Sequence, residues 1–407
     1  MILSIFTSTQ SSTAPTPLTT SIYDTTQSQA STAPIPLTTS IYDAITLMLT
    51  FYNHSTGYFG DPKVYWPFWH TGNTLETLAL ALELTGDVRI APILANSFSK
   101  VRVDYHTPYC GNDDIQWHAH AWLRAWEATG NLSYLEEAQF IYSDNMLFSP
   151  TWAIWNETCG GCNWAENSRY VNTITNSLFT TGMARLARIN STLTTNHGGR
   201  GSSVAAPGGA TYSEWALRGY VWGQRPGLRV NGVGPYVDGV AVSDCSTPVG
   251  SQWTYNAGAW LDGWTSLAVI TNDTTFSLDA VDLFTSSITA FENAQGIMLE
   301  TSCNATSGYC NEPDGRMFKG VFARHVALAL RDWAQSGGAA ENNNAVQMVK
   351  NWAQTNSNSL LTNGMSPSSN LLGQLWQGPY NSNDNTPWVA HSAGIDLLLA
   401  AYTAEFI

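Results

Sequence analysis

The chain has 407 residues, long enough for one large or two ordinary domains, and carries a formal net charge of −14. With 17 Lys plus Arg against 31 Asp plus Glu, a phosphate-binding surface and hence a nucleic-acid partner are excluded, because such surfaces rely on clustered cations. No apolar run is long enough to span a bilayer, and 17 tryptophans point to a neutral partner with apolar faces to cover, as sugar rings have.

In chain order, the start Met1-Ile-Leu-Ser-Ile-Phe6 lacks a basic n-region and its apolar stretch is too short for a complete signal peptide, so either part of a leader is missing or the start is misplaced. Residues 1–39 form a Ser, Thr, Gln and Pro-rich segment with little to bury, the composition of a disordered or extended stalk. It contains a direct repeat: Ser12 to Asp24 recurs as Ser31 to Asp43 with only Thr16 changed to Ile35. Residues 40–407 then read as one domain with apolar spacing that is mainly helical. About twelve helices are expected, with cores at Ile41–Phe51, Phe68–Leu84, Ile90–Val103, Asp114–Ala128, Tyr134–Leu147, Thr173–Ile189, Ser213–Val221, Asn256–Ile270, Leu278–Phe291, Lys319–Trp333, Ala345–Thr355 and Ser392–Thr403.

The connections alternate in length. Short turns such as Thr85-Gly86-Asp87, Thr129-Gly130-Asn131 and Thr271-Asn272-Asp273 combine a helix stop with a cap for the next helix. The connections between them are longer and rich in Gly, Pro, Trp and Cys. Repeated αα-hairpins of this kind bury their apolar faces side by side, and six of them can close into an all-α, (α/α)6 toroid. The long connections would then share one rim.

Six cysteines allow fifteen pairings; Cys303 with Cys310 is the expected local bridge. Cys159-Gly-Gly-Cys162 could be half of a zinc site, but no second Cys-x-x-Cys or suitably spaced His pair accompanies it, so disulfides are the better reading and no metal is expected. Acceptor triplets for N-glycosylation at Asn53, Asn131, Asn156, Asn190, Asn272 and Asn304 fit an oxidising, extracellular route.

On the shared rim, chemically special residues collect at the starts of even-numbered helices: His70, Asp113 and Asp114, Asn172, Tyr255 and Asn256, Lys319, and His391. Helix starts carry free N–H groups and partial positive charge, so polar groups there can line a binding bowl. Asn112-Asp113-Asp114 taken alone is a capping sequence. Yet at a helix mouth the two carboxyls can stand roughly 5 to 5.5 Å apart, the spacing of a retaining double displacement, and each resists ionisation of the other. Plain structural readings hold elsewhere. His118 and His120 do not share a helix face and are read as packing residues. Trp122, Trp126, Trp260 and Trp264 follow helical spacing and are read as core. Lys319 is read either as a solvated lysine or as a rim residue.

Several segments together resemble glycoside hydrolase family 76, the endo-α-1,6-mannanases, from Ser40 to the C-terminus. They are Asn112-Asp113-Asp114 with Trp117; Cys159-Gly160-Gly161 with Trp164; Asn172 to Asn176 before Leu178-Phe179; Trp253-Thr254-Tyr255-Asn256-Ala257-Gly258; and Phe318-Lys319-Gly320-Val321-Phe322 with Arg324. Ala257 and Cys162-Asn163 depart from the family pattern and bear on subsite preference. The resemblance implies an (α/α)6 toroid, a retaining mechanism and no metal or organic cofactor. Asp113 is similar to the family nucleophile and Asp114 to its acid/base, with Asn112, Trp117, Trp164, Asn172, Tyr255, Asn256, Lys319 and His391 expected to bind substrate. The expected protein is a secreted or wall-associated monomer acting within α-mannan. Two alternatives remain open: a cell-wall transglycosylase of the same family, disfavoured by the lack of a lipid-anchor tail after the last helix, and a non-catalytic glycan-binding wall protein.

Overall fold

The computed structural model describes residues 36–61, 66–105, 111–149, 152, 154–165, 168, 170–196, 206–304, 309–310, 314–335 and 340–407. The N-terminal stalk through residue 35 and its repeat therefore lie outside the described residues. Twelve α-helices follow: α1 (Leu37–Leu49), α2 (Phe68–Thr85), α3 (Ile90–Val101), α4 (Asn112–Thr129), α5 (Leu132–Ile141), α6 (Thr173–Asn196), α7 (Tyr212–Gly223), α8 (Thr254–Thr271), α9 (Thr274–Phe291), α10 (Gly315–Gln335), α11 (Ala340–Ser359) and α12 (Pro387–Phe406).

The two sets of helices differ in how they are buried, and this decides which ring each joins. Helix α9 buries Phe276, Ser277, Ala280, Leu283, Phe284, Ser287 and Phe291, a single stripe at helical spacing. Helix α8 is buried continuously from Thr254 to Leu267, as a helix packed on every side must be. The even helices pack in the order α2, α4, α6, α8, α10, α12 and back onto α2, so they form a closed inner ring. Glycines let their backbones approach: a Cβ on Gly258 would meet Phe322 Cα at 2.5 Å, and one on Gly320 would collide with Ala393. The expected toroid is the observed fold.

Turn chemistry follows the sequence closely at the inner-to-outer corners. Gly86 and Gly130 end α2 and α4 in the left-handed region at φ 69° and 70°, and Asn131 and Asp273 cap the next helices through Ser133 N (3.1 Å) and Thr275 N (2.9 Å). The connection from α6 to α7 is longer than this pattern expects.

The rim connections contain short antiparallel strands that helical periodicity could not show: β1 (Tyr52–Asn53), β2 (Tyr58–Phe59), β3 (Trp155–Asn156), β4 (Gly161–Cys162), β5 (Tyr170–Asn172), β6 (Val237–Ala241), β7 (Pro248–Gln252), β8 (Cys303–Asn304) and β9 (Tyr309–Cys310). Strands β5, β6 and β7 make one three-stranded sheet. Cys303 and Cys310 are bonded as expected, and Cys159 pairs with Cys245. Cys162 is a buried free thiol, and Cys110 lies outside the described residues.

The middle of the ring is polar. Glu76 of α2 is fully buried and meets Arg324 Nε at 3.2 Å and Arg185 Nη1 at 3.3 Å, while Arg324 also holds Asp396 at 2.8 Å. Burial opposes charge on Glu76, but Arg324 and the neighbouring cationic groups outweigh it and hold the carboxyl below the usual glutamate range. Among the described residues no helix is long and apolar enough to cross a membrane.

Candidate active site

Helix α4 begins at Asn112, two residues before the expected core at Asp114, so both aspartates lie within its first turn. Asp114 Oδ2 accepts the Gly111 N–H at 2.8 Å, tying the carboxylate back to the residue before the helix. Asp113, 8% exposed, has no hydrogen-bond partner on Oδ1. One carboxylate is therefore engaged in holding the helix start, and the other is left with an open lone pair.

Asn112 fixes the wall over this pair. Its amide donates to Asn163 O (2.8 Å), its main-chain N–H to Trp164 O (2.6 Å), and its Oδ1 accepts from Trp152 Nε1. Each polar group named is used inside the protein, and together these bonds tie the start of α4 to the Asn163-Trp164 segment. Trp164 is 40% exposed and stacked on Tyr170 at 5.7 Å; among the expected binding residues it is the open indole. Trp117 is 1% exposed and lies between Trp69 (6.2 Å) and Tyr255 (6.4 Å), beneath the mouth. Tyr255 stacks on Phe318 at 3.9 Å.

Two further carboxylates face the pair, and neither stood out in the sequence. Asp238 comes from β6, receives the Asn256 amide at 3.4 Å and also bonds Tyr170. Asp314 precedes α10 and lies 3.2 Å from His70 Nε2. Burial raises all three inner groups. Asp113 is pushed well above the usual aspartate range by burial and then by the charges of Asp114 and Asp238. Asp114 is pushed up to about 7 by burial, against the Gly111 hydrogen bond and with help from Asp314. Asp238 rises to about 6 through burial. Two adjacent carboxyls that cannot both ionise easily hold a proton between them near neutral pH.

The sequence profile of glycosyl hydrolase family 76 matches residues 40–387, from α1 to the first residue of α12. The chain belongs to glycoside hydrolase family 76. The mannan endo-1,6-alpha-mannosidase DCW1 of Candida glabrata is 29% identical over 305 residues, covering 68% of this chain and 60% of that protein. Its Saccharomyces cerevisiae namesake is 27% identical over 303 residues, with 69% and 61% covered. The chain thus spans about three fifths of the length of the curated relatives it matches. Among solved structures, Dfg5 from Chaetomium thermophilum in complex with glucosamine superposes with a TM-score of 0.73 at 21% identity, over 91% of this chain and 90% of that one. An inactive variant of an alpha-1,6-mannanase of Salegentibacter sp., in complex with alpha-1,6-mannotetrose, gives 0.71 at 19% identity over 91% and 100%.

Within this family 76 ring, several expected binding residues sit elsewhere. Lys319 was placed at a helix start, but α10 begins at Gly315, so Lys319 lies a turn inside and is fully buried. Its ammonium donates to Gln374 O at 2.8 Å and lies 4.6 Å from the Trp376 ring centroid. Burial draws it down to about 7, against the pull of Glu300. His391 is displaced for the same reason, because α12 begins at Pro387. It is fully buried, accepting from Leu372 N on Nδ1 (3.0 Å) and donating from Nε2 to Ala44 O (2.8 Å). Asn172 caps α6 through Thr175 N at 3.3 Å. Asn256 remains in the cleft wall, buried, with its Oδ1 unpartnered. His118 and His120 are packing residues, bonded to Phe68 O and Leu178 O. Trp122, Trp260 and Trp264 are core, but Trp126 is only partly buried.

Proposed function

We propose that this chain is a secreted, retaining glycosidase that cleaves internal α-1,6-mannosidic linkages of mannan. The observation that carries the reading is the consecutive aspartate pair on the first turn of α4, with Asp113 Oδ1 unpartnered under the exposed Trp164. The substrate class is that named for the fungal relatives. A solved mannanase variant described as inactive carries alanine at two consecutive aspartates.

Asp113 attacks the anomeric carbon while the bond to the leaving oxygen breaks, and Asp114 delivers its proton to that oxygen. Water then loses a proton to Asp114 and adds to the anomeric carbon, which releases Asp113. A value near 7 on Asp114 suits a group that must give and take a proton at ordinary pH. The shared proton has to reside on Asp114 when the sugar engages Asp113. Trp164 offers an indole face for a ring, and Asp238 with Asn256 offers acceptors and a donor for hydroxyls. Two disulfides, and glycosylation triplets whose Asn131 and Asn272 stand exposed, support an extracellular route.

Replacing Asp113 or Asp114 by Ala should reduce hydrolysis of linear α-1,6-mannooligosaccharides by several orders of magnitude with the fold intact. Azide then separates the roles: the Asp113→Ala variant should yield the inverted glycosyl azide and the Asp114→Ala variant the retained one. Near-wild-type hydrolysis in either variant refutes the reading, and exchanged azide products reverse the roles.

A further inference from the structure

Two of the glycosylation triplets sit where the inner ring turns outward, at the end of the ring away from the aspartates. Asn131 follows α4 and Asn272 follows α8, helices of 18 residues each. Each Asn therefore stands about 27 Å along a helix axis from the residues that open the cleft, at a rise of about 1.5 Å per residue. Both are exposed. Asn131 Oδ1 accepts the Ser133 N–H at 3.1 Å and caps α5, which leaves its amide nitrogen with no partner among the described residues. The surface beside it is open, since a Cβ on Gly130 would meet nothing within 4 Å. Asn272 ends α8 in the left-handed region at φ 55°, and the next helix is capped by Asp273, so neither end of the Asn272 amide is engaged. A sugar on either nitrogen breaks no bond, and at Asn131 the capping oxygen is kept.

Asn156 has the same triplet and the opposite surroundings. It lies on β3 in the rim, partly buried. Its Nδ2 donates to Asn163 Oδ1 at 2.9 Å, while its Oδ1 accepts from Thr158 N at 3.0 Å and Cys159 N at 2.9 Å. The carbonyl of Asn163 in turn receives the Asn112 amide at the start of α4. The nitrogen that a sugar needs is built into the wall over the aspartate pair.

Resting on the secreted reading above, we propose that Asn131 and Asn272 carry N-linked oligosaccharides and Asn156 does not, so that sugar covers the face opposite the cleft and leaves the mouth bare. Ser133 and Thr274 supply the hydroxyl that completes each triplet. The donor is an oligosaccharide carried on a lipid pyrophosphate. The asparagine nitrogen bonds to the anomeric carbon of the first N-acetylhexosamine as the bond from that carbon to the pyrophosphate oxygen breaks. The lipid pyrophosphate leaves with the electron pair, and the amide gives up one proton. Transfer reaches the chain before it folds, so the wall is the filter: a chain with a sugar on Asn156 cannot close it.

The test sends the full chain through the secretory route of a yeast behind a cleavable leader. N-glycans are then removed from the secreted protein with a peptide amidase in 18O water, which turns each occupied Asn into labelled Asp. Peptide mass spectra should show label at Asn131 and Asn272 and none at Asn156. Asn131→Asp keeps the cap and Asn272→Gly keeps the left-handed turn. Each should lose the mass of one glycan and leave kcat/KM on a linear α-1,6-mannooligosaccharide unchanged. A bare Asn131 or Asn272, label at Asn156 in folded protein, or a fall in kcat/KM of either folded variant overturns the inference. A chain kept inside the cell with every triplet bare overturns it together with the secreted reading. Secreted protein that is labelled as expected and does not cut the substrate leaves this inference standing and refutes the hydrolase; cutting by protein with bare sites does the reverse.

Discussion

Gly111 precedes the helix that carries the aspartates, and the space its missing side chain leaves is taken by Asp113. A Cβ there would collide with Asp113 Oδ1 and stand 3.1 Å from Trp164 Nε1. Its backbone, at φ −69° and ψ 160°, is one that alanine adopts freely. Gly111→Ala should therefore leave folding unchanged by circular dichroism and displace the Asp113 carboxylate, the proposed nucleophile. A displacement near 1 Å costs on the order of 100-fold in kcat, and a variant with unaltered kcat would show that Asp113 does not need that space. At this scale the sequence was legible in part. Neighbouring aspartates after an Asn are visible in any reading, whereas Asp238 and Asp314 are isolated acids in connections of no periodicity. Their meaning depends on which helix start they face.

Elements set where side chains emerge, and here a few residues of helix boundary changed the chemistry. The expected cores of α10 and α12 begin about a turn after the helices do, because inner helices are buried all round and their first turns, Gly315-Arg316-Met317-Phe318 and Pro387-Trp388-Val389-Ala390, have no one-sided stripe to mark the start. Lys319 and His391, read as mouth residues, became interior ties for that reason, and Asp314 took the mouth. The same close packing makes a sharp prediction. Gly320→Ala would set a methyl group into the backbone of α12 at Ala393, where nothing flexible can yield. It should lower stability by about 1–3 kcal/mol, read as a lower denaturant midpoint at unchanged slope.

Across the whole molecule the inner ring encloses a charged axis, with Glu76 between Arg324 and Arg185. Glu76→Gln leaves both cations short of a partner in the interior. Urea unfolding should show a loss of about 3–5 kcal/mol, and a change near zero would mean that the guanidinium groups find other acceptors. The pH sense follows from the depressed folded value of Glu76. Its contribution is complete above the ordinary glutamate range and is lost as pH falls toward that folded value, so this axis weakens in acid. Helix α12 packs on both α10 and α2, closing the ring.

The order of the helices, the alternation of short and long connections, the bridge between Cys303 and Cys310 and the aspartate pair are local properties, written in spacing and turn residues, and the sequence alone determined them. Which acids join that pair could be decided only by closure of the ring. Asp238 and Asp314 reach the cleft from 125 and 200 positions along the chain from Asp113 and Asp114, over a hairpin and a helix start whose approach depends on six inner helices packing at once.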